Sequence, residues 1–78
     1  MEWSSQTKKE FDQIISFVPE ALRPVAQEVI SKMSEELAQE RNASAVQQED
    51  MIRAFLQYTP EGFKEDMLAG LRTIGIDP

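Results

Sequence analysis

Apolar residues recur along this chain with the spacing of helices. Phe11, Ile14, Ile15 and Val18 stand at i, i+3, i+4 and i+7, one helical face, and predict a first helix from about Ser4 to Phe17. Ser4 or Ser5 can cap its free N–H groups, and Thr7 with Glu10 offers a second capping-box spacing. Pro19 disfavours helical geometry at Val18, so the chain is expected to turn there.

Beyond the turn, Leu22, Val25, Ala26, Val29, Ile30, Met33 and Leu37 form a continuous apolar stripe, which predicts a long second helix at the centre of the core. Pro19 and Pro24 are tolerated near its first turn, where N–H groups have no intrahelical partner. Glu28, Lys32, Glu36 and Glu40 share another face that reads as solvated. Arg41 and Asn42 suit its C-terminal cap. In the polar connection that follows, Val46 is placed to tuck inward and Ser44 with Gln47 suits a cap. Met51, Ala54, Phe55 and Tyr58 then repeat the helical spacing over about Gln48 to Tyr58. Ile52 and Leu56 widen that face, which implies more than one packing neighbour.

Thr59-Pro60-Glu61 is the sharpest boundary, with Thr59 as N-cap, Pro60 at the first helical position and Glu61 near the positive end of the dipole. Phe63, Met67 and Leu71 mark the fourth helix at i, i+4 and i+8. Gly75 is placed to close it in a left-handed conformation, folding Ile76 back on Leu71, and Asp77 and Pro78 are expected to fray. The expectation is an all-α fold, a compact bundle of four helices with a long second helix. It forms one domain over residues 1–78, with no linker, low-complexity tract or period of repetition to divide it.

The chain has no cysteine and no histidine, which removes thiolate nucleophiles, disulfides, Cys/His zinc sites and triad-type machinery. Gly62, Gly70 and Gly75 stand alone, so no glycine-rich phosphate cradle is present. No acid/base pair stands out either, and an enzyme is not expected. Eight basic residues against 14 acidic ones give a net charge of −6, which disfavours nucleic acid and anionic membranes as partners. No apolar run approaches the ~20 residues of a membrane span, and the opening MEWSSQTKKEF lacks a signal-peptide core. A soluble, cytoplasmic chain is expected.

Four residues are candidates for a binding surface. Trp3 precedes the first cap, where it either staples the first helix to the core or anchors a partner. Arg23 lies between two prolines at a helix start, where the dipole gives a cation nothing. It is therefore expected on a specific acceptor, a carboxylate of the fold or an external anion. Phe17 and Pro19 border the same turn. Arg53 follows Glu49 and Asp50 at helical spacing and reads as an exposed ion pair. Glu61, Glu65 and Asp66, with Lys64 among them, read as solvated helix surface and not as a metal site, and Met33, Met51 and Met67 as core.

The succession Trp3, an amphipathic helix, Phe17-Val18-Pro19, Arg23, Ala26, Ile30, then Val46-x-x-Glu49 and Ala54 resembles the small C-terminal PCP_red domain of the light-independent protochlorophyllide reductase B subunit. The likeness covers roughly Trp3 to Phe55. It departs at Ser31, Asn42 and Gln47, where that family carries an acidic residue, a turn glycine and a capping threonine, and in a longer second helix. What the resemblance implies is a non-catalytic helical module without a cofactor of its own, docking a tetrapyrrole or a tetrapyrrole-handling protein, with Trp3, Phe17, Pro19 and Arg23 bordering the surface. The alternative is a structural unit that self-associates by histone-like pairing of the broad face around Met51 and Ala54, without DNA binding.

Overall fold

Each expected helix forms, with ends set by contacts that periodicity does not carry. In this computed structural model, which describes residues 1–76, strand β1 (Glu2–Trp3) leads into α1 (Ser5–Ile15), and a 3₁₀ turn (Glu20–Leu22) leads into α2 (Arg23–Glu40). Strand β2 (Ala45–Val46) precedes α3 (Gln48–Tyr58), and a second 3₁₀ turn (Glu61–Phe63) precedes α4 (Lys64–Thr73). The fold is an all-α bundle. The fraying expected of Asp77 and Pro78 lies outside the described residues.

Ser4 is the cap of α1, its hydroxyl oxygen accepting the Thr7 N–H at 3.2 Å. The second capping spacing is not used: Thr7 is buried, and Glu10 instead accepts the Gln48 side-chain amide at 3.0 Å, tying α1 to α3. The helix stops at Ile15, not Phe17, because the N–H groups of Ser16, Phe17 and Val18 reach back only three residues and Pro19 has none to give.

The buried face of α2 is Ala26, Ile30, Ser34 and Ala38, three small residues that let α2 lie close against α3. The stripe anticipated from Leu22 onward is thereby corrected at its start. Leu22 and Val25 are 56% and 58% exposed, because Leu22 lies in the 3₁₀ turn and Val25 falls beside the buried row that runs from Ala26 at every fourth residue. Ser34 is accommodated by donating its hydroxyl to the Ile30 carbonyl at 2.7 Å. Phe11, Ile14, Ile30, Met51, Phe55 and Leu71 fill the space between helices, and the Phe11 and Phe55 rings stand 5.6 Å apart.

Both α2 and α4 end in the same left-handed cap. Asn42 has φ 59°, with Ala43 N–H on the Ala38 carbonyl at 2.9 Å and Asn42 N–H on that of Gln39 at 3.0 Å. Gly75 has φ 87°, with Ile76 N–H on Leu71 at 2.9 Å and Gly75 N–H on Arg72 at 3.0 Å, which folds the buried Ile76 back beside Leu71 as expected. The connection after α2 is more regular than anticipated. Val46 is buried, and β2 pairs in parallel with β1, Glu2 against Ala45 and Trp3 against Val46.

Candidate functional site

Two proline steps build one concavity. After α1 the chain reads Phe17-Val18-Pro19-Glu20-Ala21-Leu22-Arg23, and after α3 it reads Tyr58-Thr59-Pro60-Glu61-Gly62-Phe63-Lys64. Each is aromatic, β-branched, proline, glutamate, small, large apolar, cation, with equivalent positions offset by 41 in the sequence. Each proline is extended at ψ (139° and 151°), and its carbonyl accepts the N–H three residues on, from Leu22 and from Phe63, both at 2.9 Å. The next helix then starts at the cation in both cases. Residues 1–40 and 43–73 thus repeat one plan: strand, cap, helix, proline turn, helix. A reading that looks for identical residues misses this, since only proline and glutamate are identical between the two heptads; matching by residue class reveals it.

The heptads face each other across an apolar cavity of about 560 Å³. The same four positions of each line it, Phe17, Val18, Pro19 and Leu22 on one lip and Tyr58, Thr59, Pro60 and Phe63 on the other. Its floor includes the buried Ile30 and Phe55, and Asp66 is the one acidic lining residue among the described residues. The lips themselves are open. Phe17 is 45% exposed and Phe63 is 62% exposed, and Phe63, expected within the fourth helix, lies in the 3₁₀ turn that precedes it.

Thr59 does not cap α4 as expected. It closes α3 instead, buried, its hydroxyl donating to the Phe55 carbonyl at 2.7 Å, because the intervening 3₁₀ turn displaces the start of α4 to Lys64. Among the described residues Arg23 pairs with no carboxylate. Its Nε donates to the Val18 carbonyl at 2.8 Å and its Nη2 to that of Ser16 at 3.0 Å, which fastens the first lip to the end of α1. Of the four sequence candidates, Phe17 and Pro19 line the cavity and Arg23 braces it from behind.

Trp3 takes no part in the lining. Its indole N–H donates to Glu35 at 3.1 Å and its ring meets Phe11 edge-on at 5.1 Å, so it staples the N-terminus to α1 and α2.

Away from the cavity, one polar cluster joins α2 to α3. Asp50, fully buried, accepts both Nε and Nη2 of Arg41 at 2.7 Å and the Gln47 N–H at 2.9 Å, so Gln47, and not Ser44, stands at the helix start. The fork of Arg41 holds the Asp50 carboxyl below its ordinary range, with the Gln47 N–H helping and burial opposing. Arg41 also reaches Glu49 at 3.3 Å. Arg53, expected to pair with these two acids, makes no ion pair among the described residues, since Arg41 crosses from the C-terminal cap of the preceding helix to take both. Glu61, Glu65 and Asp66 are exposed, with Lys64 on Glu61 at 3.0 Å. Among the described residues no group of side chains is arranged to hold a metal ion, and no helix is long and apolar enough to cross a membrane.

Compared with known families, the sequence matches DUF2621, described as a protein of unknown function, along residues 1–78. The chain belongs to the DUF2621 family. No curated protein and no solved structure matches it.

Membership of DUF2621 along the whole chain overturns the PCP_red resemblance and, with it, the tetrapyrrole expectation that rested on nothing else. The landmarks behind that likeness have local explanations. Trp3 staples the N-terminus, Pro19 makes a turn, Arg23 braces that turn, and the absent turn glycine is an Asn42 already in the left-handed conformation. Common helix-and-turn chemistry in a similar order produced the similarity.

Proposed function

We propose that this DUF2621 protein is a non-catalytic docking module whose cavity between the two proline turns receives the apolar side chains of a partner protein. The cavity carries the reading: its size falls in the ordinary range for binding sites, and its lips present the large apolar side chains of Phe17, Leu22 and Phe63 to water. Such an exposed rim around a well-packed floor is how protein interfaces present their anchoring pockets. Catalysis has little to work with there, since among the described residues Asp66 and Tyr58 are the only titratable groups in the lining.

Self-association is the weaker reading. The broad face that histone-like pairing would bury, Met51, Ile52, Ala54 and Phe55, is already buried inside the chain. A second copy would also bring the carboxylates beside the lips against their own kind.

An uncharged amphipathic peptide, leucine at helical spacing on a glutamine background, tests the docking reading by NMR titration of the ¹⁵N-labelled protein. Shifts centred on the amides of Phe17, Leu22, Tyr58 and Phe63, lost in a folded Phe63→Glu variant, are expected. Shifts absent from both lips, or unchanged by Phe63→Glu, would remove the proposal.

A further inference from the structure

Charge beside the lips says what kind of segment the cavity takes. Glu20 and Glu61 follow the two prolines at the repeated position, Asp66 lines the cavity, and Glu65 precedes Asp66 in the first turn of α4, exposed to solvent. The two heptads bring two cations against these four carboxylates. Arg23 is turned onto the Ser16 and Val18 carbonyls, and the Lys64 ammonium lies 3.0 Å from Glu61. Among the described residues Glu20, Glu65 and Asp66 make no ion pair. The mouth therefore combines an apolar interior with an acidic surround, on a chain of net charge −6.

Resting on the docking reading, we infer that the occupant is a basic amphipathic helix of a partner protein. Its apolar face fills the cavity, and its flanking lysines or arginines lie against Glu20, Glu65 and Asp66. The mode follows from what surrounds the cavity. Helices and turns line it, and the one sheet of the described residues, β1 with β2, contributes nothing to the lining. An extended peptide has no strand edge there on which to add, whereas apolar side chains at i, i+3, i+4 and i+7 suit a concave pocket between helices. Charge complementarity of this kind sets partner choice and association rate more than it sets affinity, and it weakens with salt.

Three peptides of about 15 residues, sharing one leucine face and differing only in a lysine, glutamine or glutamate background, separate this inference from the docking reading. At low salt the lysine peptide is expected to bind about tenfold more tightly than the glutamine peptide, and the glutamate peptide more weakly still. In each case the amide shifts should centre on Phe17, Leu22, Tyr58 and Phe63. The preference for lysine should shrink towards parity at about 0.5 M salt, and Asp66→Asn should reduce that preference about threefold. If lysine and glutamine peptides bind alike at the lips, or the lysine peptide shifts the Glu28, Glu36 and Glu40 face instead, the inference is overturned while docking stands. If no peptide shifts the lips, both fall together.

Discussion

The ring of Phe17 lies directly on Gly70: a Cβ built at position 70 would stand 3.0 Å from both Cδ2 and Cε2 of that ring. Phe17 belongs to the lip that follows α1 and Gly70 to the middle of α4, so the missing side chain is what lets the first lip rest on the last helix. Glycine within a helix costs about 0.5–1 kcal/mol relative to alanine. Here that cost accompanies a wall of the cavity.

Gly70→Ala should therefore separate stability from shape. The alanine regains the helical propensity, and Phe17, half exposed, has room to move aside. Denaturant unfolding is expected to change by no more than about 1 kcal/mol in either direction. The Phe17 ring resonances should move clearly, and peptide docking at the lips should weaken. A loss above about 2 kcal/mol would show that the ring is held rigidly and that this wall is core.

Asp50 gives a prediction in pH. Its carboxyl is held below the ordinary value by the Arg41 fork, so its contribution to stability is complete above the unfolded pKa of about 3.9 and is lost as pH falls through the lower folded value. Asp50→Asn should cost about 1–3 kcal/mol at neutral pH, from lost charge-assisted hydrogen bonds at a buried site. The variant's unfolding free energy should also fall less steeply than the wild type's below about pH 4. Equal acid slopes in the two proteins would refute the assignment.

Arg23 should behave as a brace and not as an anion site. Both engaged nitrogens point at main-chain carbonyls, an arrangement a point-charged ammonium does not reproduce. Arg23→Lys and Arg23→Gln are each expected to destabilise by about 1 kcal/mol, with amide shifts concentrated at Ser16 to Leu22. Sulfate or phosphate should leave the wild-type unfolding midpoint where other salts of equal ionic strength put it. A specific rise with either anion would return Arg23 to the role of ligand.

The helices were legible because i, i+3, i+4 spacing is a local property: Phe11, Ile14 and Ile15 on α1 and Met51, Ala54 and Phe55 on α3 are all buried. The same counting cannot tell a core position from a rim position, which is why Leu22 and Val25 read as part of the core stripe and stand in solvent instead. Non-local partners left no local trace. Nothing in the spacing of Asp50 and Arg53 says that Arg41, at the C-terminal cap of the preceding helix, reaches the acid first. The 3₁₀ turns explain the remaining displacement, since the Pro19 and Pro60 boundaries were correct while each following helix begins later, at Arg23 and Lys64.

The repeated heptads yield the last prediction, which concerns Leu22 and Phe63 together. They occupy the same position of the two lips and are both mostly exposed, so neither contributes much to folding by burial. Leu22→Ser and Phe63→Ser, singly or combined, should leave unfolding free energy within about 0.5 kcal/mol of wild type per substitution. Their effect should fall on docking. If one helix touches both lips, each substitution removes part of the same contact, and the combined loss of peptide affinity should differ from the sum of the single losses by at least about 0.5 kcal/mol. Additive losses would mean that the lips act as separate surfaces and that the cavity between them is not the shared site.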